Sequence, residues 1–183
     1  MFSFQRTNVL NKIIPCLPIK STPNYWVESR RADSPHHLWK WESSRLIMID
    51  TNLFIYLFEQ SPEFGEKSKE ILEHVEKGTF SAVASSVSLA EILVKPIREG
   101  NTSLEKQYKL IFTHFPNLSI VPVDNTVAEQ AAYLRGKYGI KTPDALIVAS
   151  AIMAGAELFI TNDERLKKIK EIRCIALSQI INR

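Results

Sequence analysis

The chain of 183 residues suffices for one domain with a sizeable core, and no apolar run approaches the ~18 residues needed to span a bilayer. Its two cysteines, Cys16 and Cys174, have no close neighbour of metal-ligand spacing, which argues against a zinc motif and makes reduced thiols and a cytoplasmic setting the expectation. The net charge of +3 is unevenly spread: residues 1–45 carry seven basic against three acidic side chains, or +4, and the other 16 basic and 17 acidic residues sum to −1.

Composition changes near residue 45. Before it lie Trp26, Trp39 and Trp41 with Pro15, Pro18, Pro23 and Pro35, and no helical or strand periodicity runs through them. Residues 1–45 are expected to form a poorly ordered basic extension and residues 46–183 the folded domain. The apolar piece at 13–18 is broken by prolines and is followed by nothing resembling a signal-peptidase site. His36 and His37 share this arm, where a lone histidine pair makes a poor metal site.

From residue 46 onward strands and helices alternate. Leu46–Ile49 is a short apolar run that ends in Asp50, after which the chain turns helical. Ser61 and Pro62 predict an N-cap and first position for a helix that ends at Lys77, with Gly78 as its stop. A strand at 79–84 leads into a helix at 87–94 that Pro96 should disturb, and residues 102–115 carry Leu104, Tyr108, Ile111 and Phe112 at helical spacing. A third strand at 118–123 is followed by Asp124 as cap of a helix over 125–138. A helix at 142–154 then closes on Gly155, a strand follows at 157–160, a short helix at 164–170, and a fifth strand at 172–176. This alternation predicts a parallel sheet covered on both faces.

Four acidic residues stand out. Asp50 and Asp163 follow apolar runs directly or within three residues, so both belong at the carboxyl edge of the sheet, where open parallel sheets bind ligands. Asp144 opens a helix that carries no further charge through Ala154, so the core fixes its N-terminus. Each aspartate alone has a second reading as a helix cap, worth about 0.5–2 kcal/mol. Glu91 is the only charge between Val87 and Val94, its neighbours on the helix surface. Unpaired burial there would cost several kcal/mol, so Glu91 needs a metal, a route to water or a distant arginine. Two carboxylates about 4 Å apart repel by roughly 4 kcal/mol at an effective dielectric of 20, and their convergence predicts a hard divalent cation, Mg2+ or Mn2+. Two such ions suit phosphodiester cleavage.

Four segments carry a family resemblance: Ile49, Asp50, Thr51 and Asn52; Ser88 through Glu91; Thr142, Pro143 and Asp144 with the apolar run after them; and Phe159 through Asp163. Together, over residues 46–178, they resemble the PIN-domain nucleases, in particular the VapC-type toxins. The resemblance implies a PIN-like three-layer α/β/α sandwich with a parallel sheet of about five strands, and Mg2+- or Mn2+-dependent cleavage of RNA. It also implies a homodimer and a small antitoxin partner. Asp50, Glu91, Asp144 and Asp163 carry over as metal ligands or water activators, and Thr51, Asn52, Thr161 and Asn162 as supporting or substrate contacts. The arm before residue 46 departs from the family pattern, whose chains begin near the first strand.

Other features weigh less. Lys95 and Arg98, Lys137 and Lys141, and Arg165, Lys167, Lys168 and Lys170 flank the acidic stations and would suit RNA phosphates or merely a solvated face. Tyr56, Phe58 and Phe64 read as core or dimer contacts. Ser86 and Ser88 have no histidine nearby in sequence to make a nucleophile. A phosphatase with an aspartyl nucleophile would need a second aspartate two residues on, where this chain has Asn52. A catalytically silent RNA-binding module on the same fold would be expected to have lost one of the four acids.

Overall fold

The computed structural model describes residues 46–180; the arm with its tryptophans, Cys16, His36 and His37 lies outside them. Within that span the strands are β1 (Leu46–Ile49), β2 (Ser81–Ser85), β3 (Leu118–Val121), β4 (Leu158–Ile160) and β5 (Arg173–Ile175). They form one parallel sheet in the order β3-β2-β1-β4-β5. The helices are α1 (Thr51–Phe58), α2 (Gly65–Glu76), α3 (Ser86–Arg98), α4 (Thr102–His114), α5 (Asn125–Tyr138), α6 (Thr142–Met153) and α7 (Leu177–Ile180), with a 3-10 helix at Glu164–Lys168.

Period-2 alternation splits the strand side chains between two cores. Ile47 and Ile49 of β1, Ala82 and Ala84 of β2, and Leu158 and Ile160 of β4 join the helices α1 to α4 in one buried cluster. Met48, Val83 and Phe159, the residues between, join α5 and α6 in the other. The result is the expected α/β/α sandwich. In the first cluster Phe58 stacks on Tyr108 with ring centroids 4.2 Å apart, and Phe54 meets Phe112 edge-on at 5.0 Å. That accounts for Phe58 as core.

Local chemistry explains most boundaries. Asp124 caps α5 by accepting from the Val127 N–H at 2.9 Å, worth about 1 kcal/mol, and Gly139 ends it in the left-handed conformation at φ +62°. Ser85 caps α3 by accepting from the Val87 N–H. Its hydroxyl also lies 3.0 Å from Ser150 Oγ, which donates to the Leu146 carbonyl. Each hydroxyl has one proton, so Ser85 donates to Ser150 and ties the end of β2 to α6.

Several expectations need correction. Ser61 does not start α2; its hydroxyl accepts from the Phe64 N–H in a turn, and the helix begins at Gly65. A Cβ there would stand 3.4 Å from backbone atoms of Tyr56 and Gln60. Pro96 does not break α3, which runs on to Arg98 with one ladder bond fewer. The segment after Asp163 is 3-10 rather than α-helical, and α7 was not anticipated. Strands 118–123, 157–160 and 172–176 are each trimmed by one to two residues at their ends. No helix among the described residues is long and apolar enough to cross a membrane.

Candidate active site

Successive strands run outward from β1 to β2 and β3, then return to fill the other side with β4 and β5. The order therefore reverses at β1 and β4, the crevice where parallel sheets place ligands. Asp50 is the residue that leaves β1, and Thr161, Asn162 and Asp163 are those that leave β4. The Asp50 N–H donates to the Ile160 carbonyl at 3.1 Å, so the two strand ends are pinned side by side.

Asp50 is 6% exposed, and its carboxylate makes no side-chain cap of α1. Instead Oδ2 accepts from Thr161 Oγ1 at 2.5 Å and from Asn52 Nδ2 at 3.2 Å. Burial pushes the carboxyl up to about 6, against the Thr161 hydrogen bond, and the nearby Glu91 charge adds to the rise. The capping alternative therefore does not explain Asp50. Thr161, itself 1% exposed, also accepts from the Asp163 N–H at 3.0 Å, so one hydroxyl joins the two aspartates.

Glu91 lies on α3 and Asp144 in the first turn of α6; both are half-buried. The expectation that Glu91 sits on a buried apolar face is corrected, because Val94 is 57% exposed and the helix turns this side toward solvent. Lys95, one turn along the same helix, pairs with Glu59 rather than Glu91. Burial also raises the Asp144 carboxyl, opposed by Arg165, with the Asp163 charge adding to the rise.

Asp163 does cap the 3-10 helix, accepting the Arg165 N–H at 2.9 Å. The Arg165 side chain folds back on the same carboxylate and lies 3.8 Å from Asp144. That contact holds the Asp163 carboxyl below its ordinary range. Asp50 thus feels the charge of Glu91, and Asp144 and Asp163 share an arginine. Among the described residues no three acidic, histidine or cysteine side chains are drawn into a ready metal cage.

Thr51 and Ser88 form a buried hydroxyl pair at 2.8 Å, joining the residue after Asp50 to the turn of α3 before Glu91. Ser86 accepts from the Val123 N–H, so it too is structural. Asn162 is half-buried. Sequence reasoning placed Arg165 among eight flanking cations and did not single it out; its spacing of two from Asp163 was the available signal.

Comparison with protein families decides the lineage of this arrangement. The PIN domain model matches residues 47–172, well over half of the chain. The chain belongs to the PIN domain family. Solved structures agree on the PIN fold. VapBC2 from Rickettsia felis, bound to a DNA fragment from its promoter, is similar with a TM-score of 0.59 and 22% identity over 72% of this chain and 98% of that one. A toxin–antitoxin complex from Klebsiella pneumoniae gives 0.56 and 22%, covering 72% of this chain and 97% of that one. DNA-bound VapBC from Salmonella typhimurium gives 0.56 and 19%, covering 73% and 98%. No curated protein matches the chain.

Proposed function

We propose that this PIN protein is a Mg2+- or Mn2+-dependent endoribonuclease that hydrolyses RNA phosphodiester bonds, acting as the toxin of a toxin–antitoxin pair. The observation that carries the reading is Asp50, a carboxylate 6% exposed at the point where strand order reverses, with Thr161 and Asn52 both donating to it. A side chain buried against its own desolvation, and making no helix cap, is the signature of a functional group.

The donor set suits a hard divalent cation, since Asp50, Glu91, Asp144 and Asp163 offer carboxylate oxygens alone. These four are the residues that would hold it. Bound there, such ions would supply Lewis-acid chemistry to a phosphodiester and to an attacking water. Thr161 orients Asp50 by donating to Oδ2 and ties it to the Asp163 backbone, while Asn52 holds the same oxygen from the other end of the β1–α1 turn. In this role Asn52 and Thr161 are positioning residues, and Thr51 acts through its bond to Ser88. Asn162, beside them, is assigned to the substrate. An aspartyl-nucleophile phosphatase gains nothing from these contacts, because Asn52 stands where its acid would be.

The finer parts of the proposal have their own supports. An antitoxin partner is suggested by the toxin–antitoxin complexes among the structural neighbours. A homodimer is favoured by Val94 and Ile97 of α3, each 57% exposed and on one helix face. Helix α1 offers no such face, because Leu53, Phe54, Leu57 and Phe58 are used up in the core. A cytoplasmic setting fits an RNA substrate. Incubating the purified full-length protein with labelled RNA and with a phosphomonoester, each with Mn2+ and with excess EDTA, tests the reading. RNA cut only with Mn2+ is expected. Undiminished cleavage in EDTA, or phosphomonoester turnover alone, would overturn it, and a strictly monomeric protein by light scattering would remove the dimer.

A further inference from the structure

We infer that Arg165 is a built-in counter-ion that holds Asp163 and Asp144 in the metal-free protein, gives up both when divalent ions load, and then offers its guanidinium to a substrate phosphate. The inference rests on the metallonuclease reading above and adds to it a competitor for the ions carried by the chain itself.

The geometry is local and specific. Arg165 Nε donates to Asp163 Oδ1 at 2.9 Å and Oδ2 at 3.0 Å, its Nη2 bonds the same Oδ2, and its backbone N–H donates to Oδ1 at 2.9 Å. A carboxylate has about four acceptor sites, and three N–H groups of one residue take up most of them, so a metal ion must compete with the guanidinium for Asp163. The same Nη2 stands 3.8 Å from Asp144 Oδ2. Of the neighbouring cations, Lys137 pairs with Glu171 at 2.8 Å and Lys167 with Glu164 at 2.6 Å, whereas Lys141 acts on both aspartates through its charge alone.

Release is easy. The Arg165 side chain is 61% exposed, so swinging outward uncovers no core. Its planar fork, matched to a carboxylate, matches a phosphate equally well. The displaced group therefore remains beside the ions with its charge unsatisfied, where a polyanion would next arrive.

Calorimetric titration of Mn2+ into the metal-free full-length protein, without RNA, tests the first half. Arg165→Gln should bind Mn2+ roughly fivefold more tightly than wild type, the scale of one exposed ion pair. Arg165→Lys, which keeps the charge and loses the fork, should fall between. Lys167→Gln removes an equal charge nearby that pairs with Glu164, and should shift affinity by less than about twofold. Fluorescence anisotropy with a phosphorothioate RNA at saturating Mn2+ tests the second half: Arg165→Gln should bind it several-fold more weakly. A merely structural arginine would move both affinities the same way. Mn2+ affinity unchanged or weakened in Arg165→Gln, or matched by Lys167→Gln, would overturn the counter-ion, and unchanged RNA affinity would overturn the phosphate contact. Tighter Mn2+ binding by Arg165→Gln in a protein that cuts no RNA would sink the nuclease reading while the counter-ion stood; absence of Mn2+ binding in every variant would sink both.

Discussion

Thr161 Oγ1 donates to Asp50 Oδ2 at 2.5 Å, joining two residues 111 positions apart through side chains that are both nearly inaccessible. A hydrogen bond to the charged form opposes desolvation. Replacing Thr161 with Val keeps the shape and removes that donor, so the Asp50 proton should be retained to higher pH than in wild type. The variant also leaves the Asp163 N–H without its acceptor. Carboxyl NMR titration of the metal-free protein checks the shift, and an unchanged Asp50 titration would show that the bond does not govern it. RNA cleavage should fall by about tenfold or more, the scale of a lost hydrogen bond to a charged group.

Asp50→Asn should separate stability from activity. The folded carboxyl titrates near 6 against 3.8 in the free group, so between about pH 4 and 6 the folded state holds a proton the unfolded chain has lost. This raised acid lowers stability as pH rises through that window, and the penalty is complete above pH 6. Asn carries no such penalty and its carbonyl can still accept from Thr161 and Asn52. In EDTA the variant should exceed wild type at pH 7 by up to about 3 kcal/mol and converge with it near pH 4. Urea melts across that range decide. Cleavage should drop by about two orders of magnitude, and Mg2+ should stabilise the variant much less than wild type.

Ser88→Ala should destabilise the protein by about 1–2 kcal/mol, because the Thr51 hydroxyl is left buried and unpaired. Adding Thr51→Val removes the orphan, and the double variant should recover part of the loss. Chemical denaturation of the full cycle measures the coupling; additive effects would show that the two hydroxyls do not depend on each other.

Deleting residues 1–45 should leave the fold and the metal chemistry intact, since the described residues by themselves supply a five-stranded sheet with an apolar cluster on each face. A cooperative melt close to that of the full chain is expected. Insoluble or non-cooperative protein would show that the arm contributes to the core.

The sheet and three of the acidic positions were legible because apolar runs of strand length end in acids, and a charge-free helix can only be buried. Glu91 was legible as an isolated charge, yet the reason offered was wrong: periodicity cannot tell that α3 turns Val94 to solvent. Ser61 misled because a hydroxyl that accepts from a turn N–H looks, in sequence, like one that caps a helix. Arg165 was hidden for a different reason. Its side chain meets Asp163 within a 3-10 turn that reads in sequence as an ordinary helix, and it is one of eight flanking cations with similar credentials in a string of letters.

The central position of β1 has a consequence for synthesis. Its pairing with β2, and of β2 with β3, needs nothing beyond Val121, so that half of the sheet can form while the ribosome is still adding the rest. The other edge of β1 stays open until residues 158–160 emerge to cover it. Thr161 and Asp163 arrive only with that strand. A polypeptide abandoned before this point carries Asp50, Glu91 and even Asp144 without the partners from β4 that complete their surroundings. Such a fragment should be inert, so the chemistry of this chain waits on the strand that pairs with the second edge of β1.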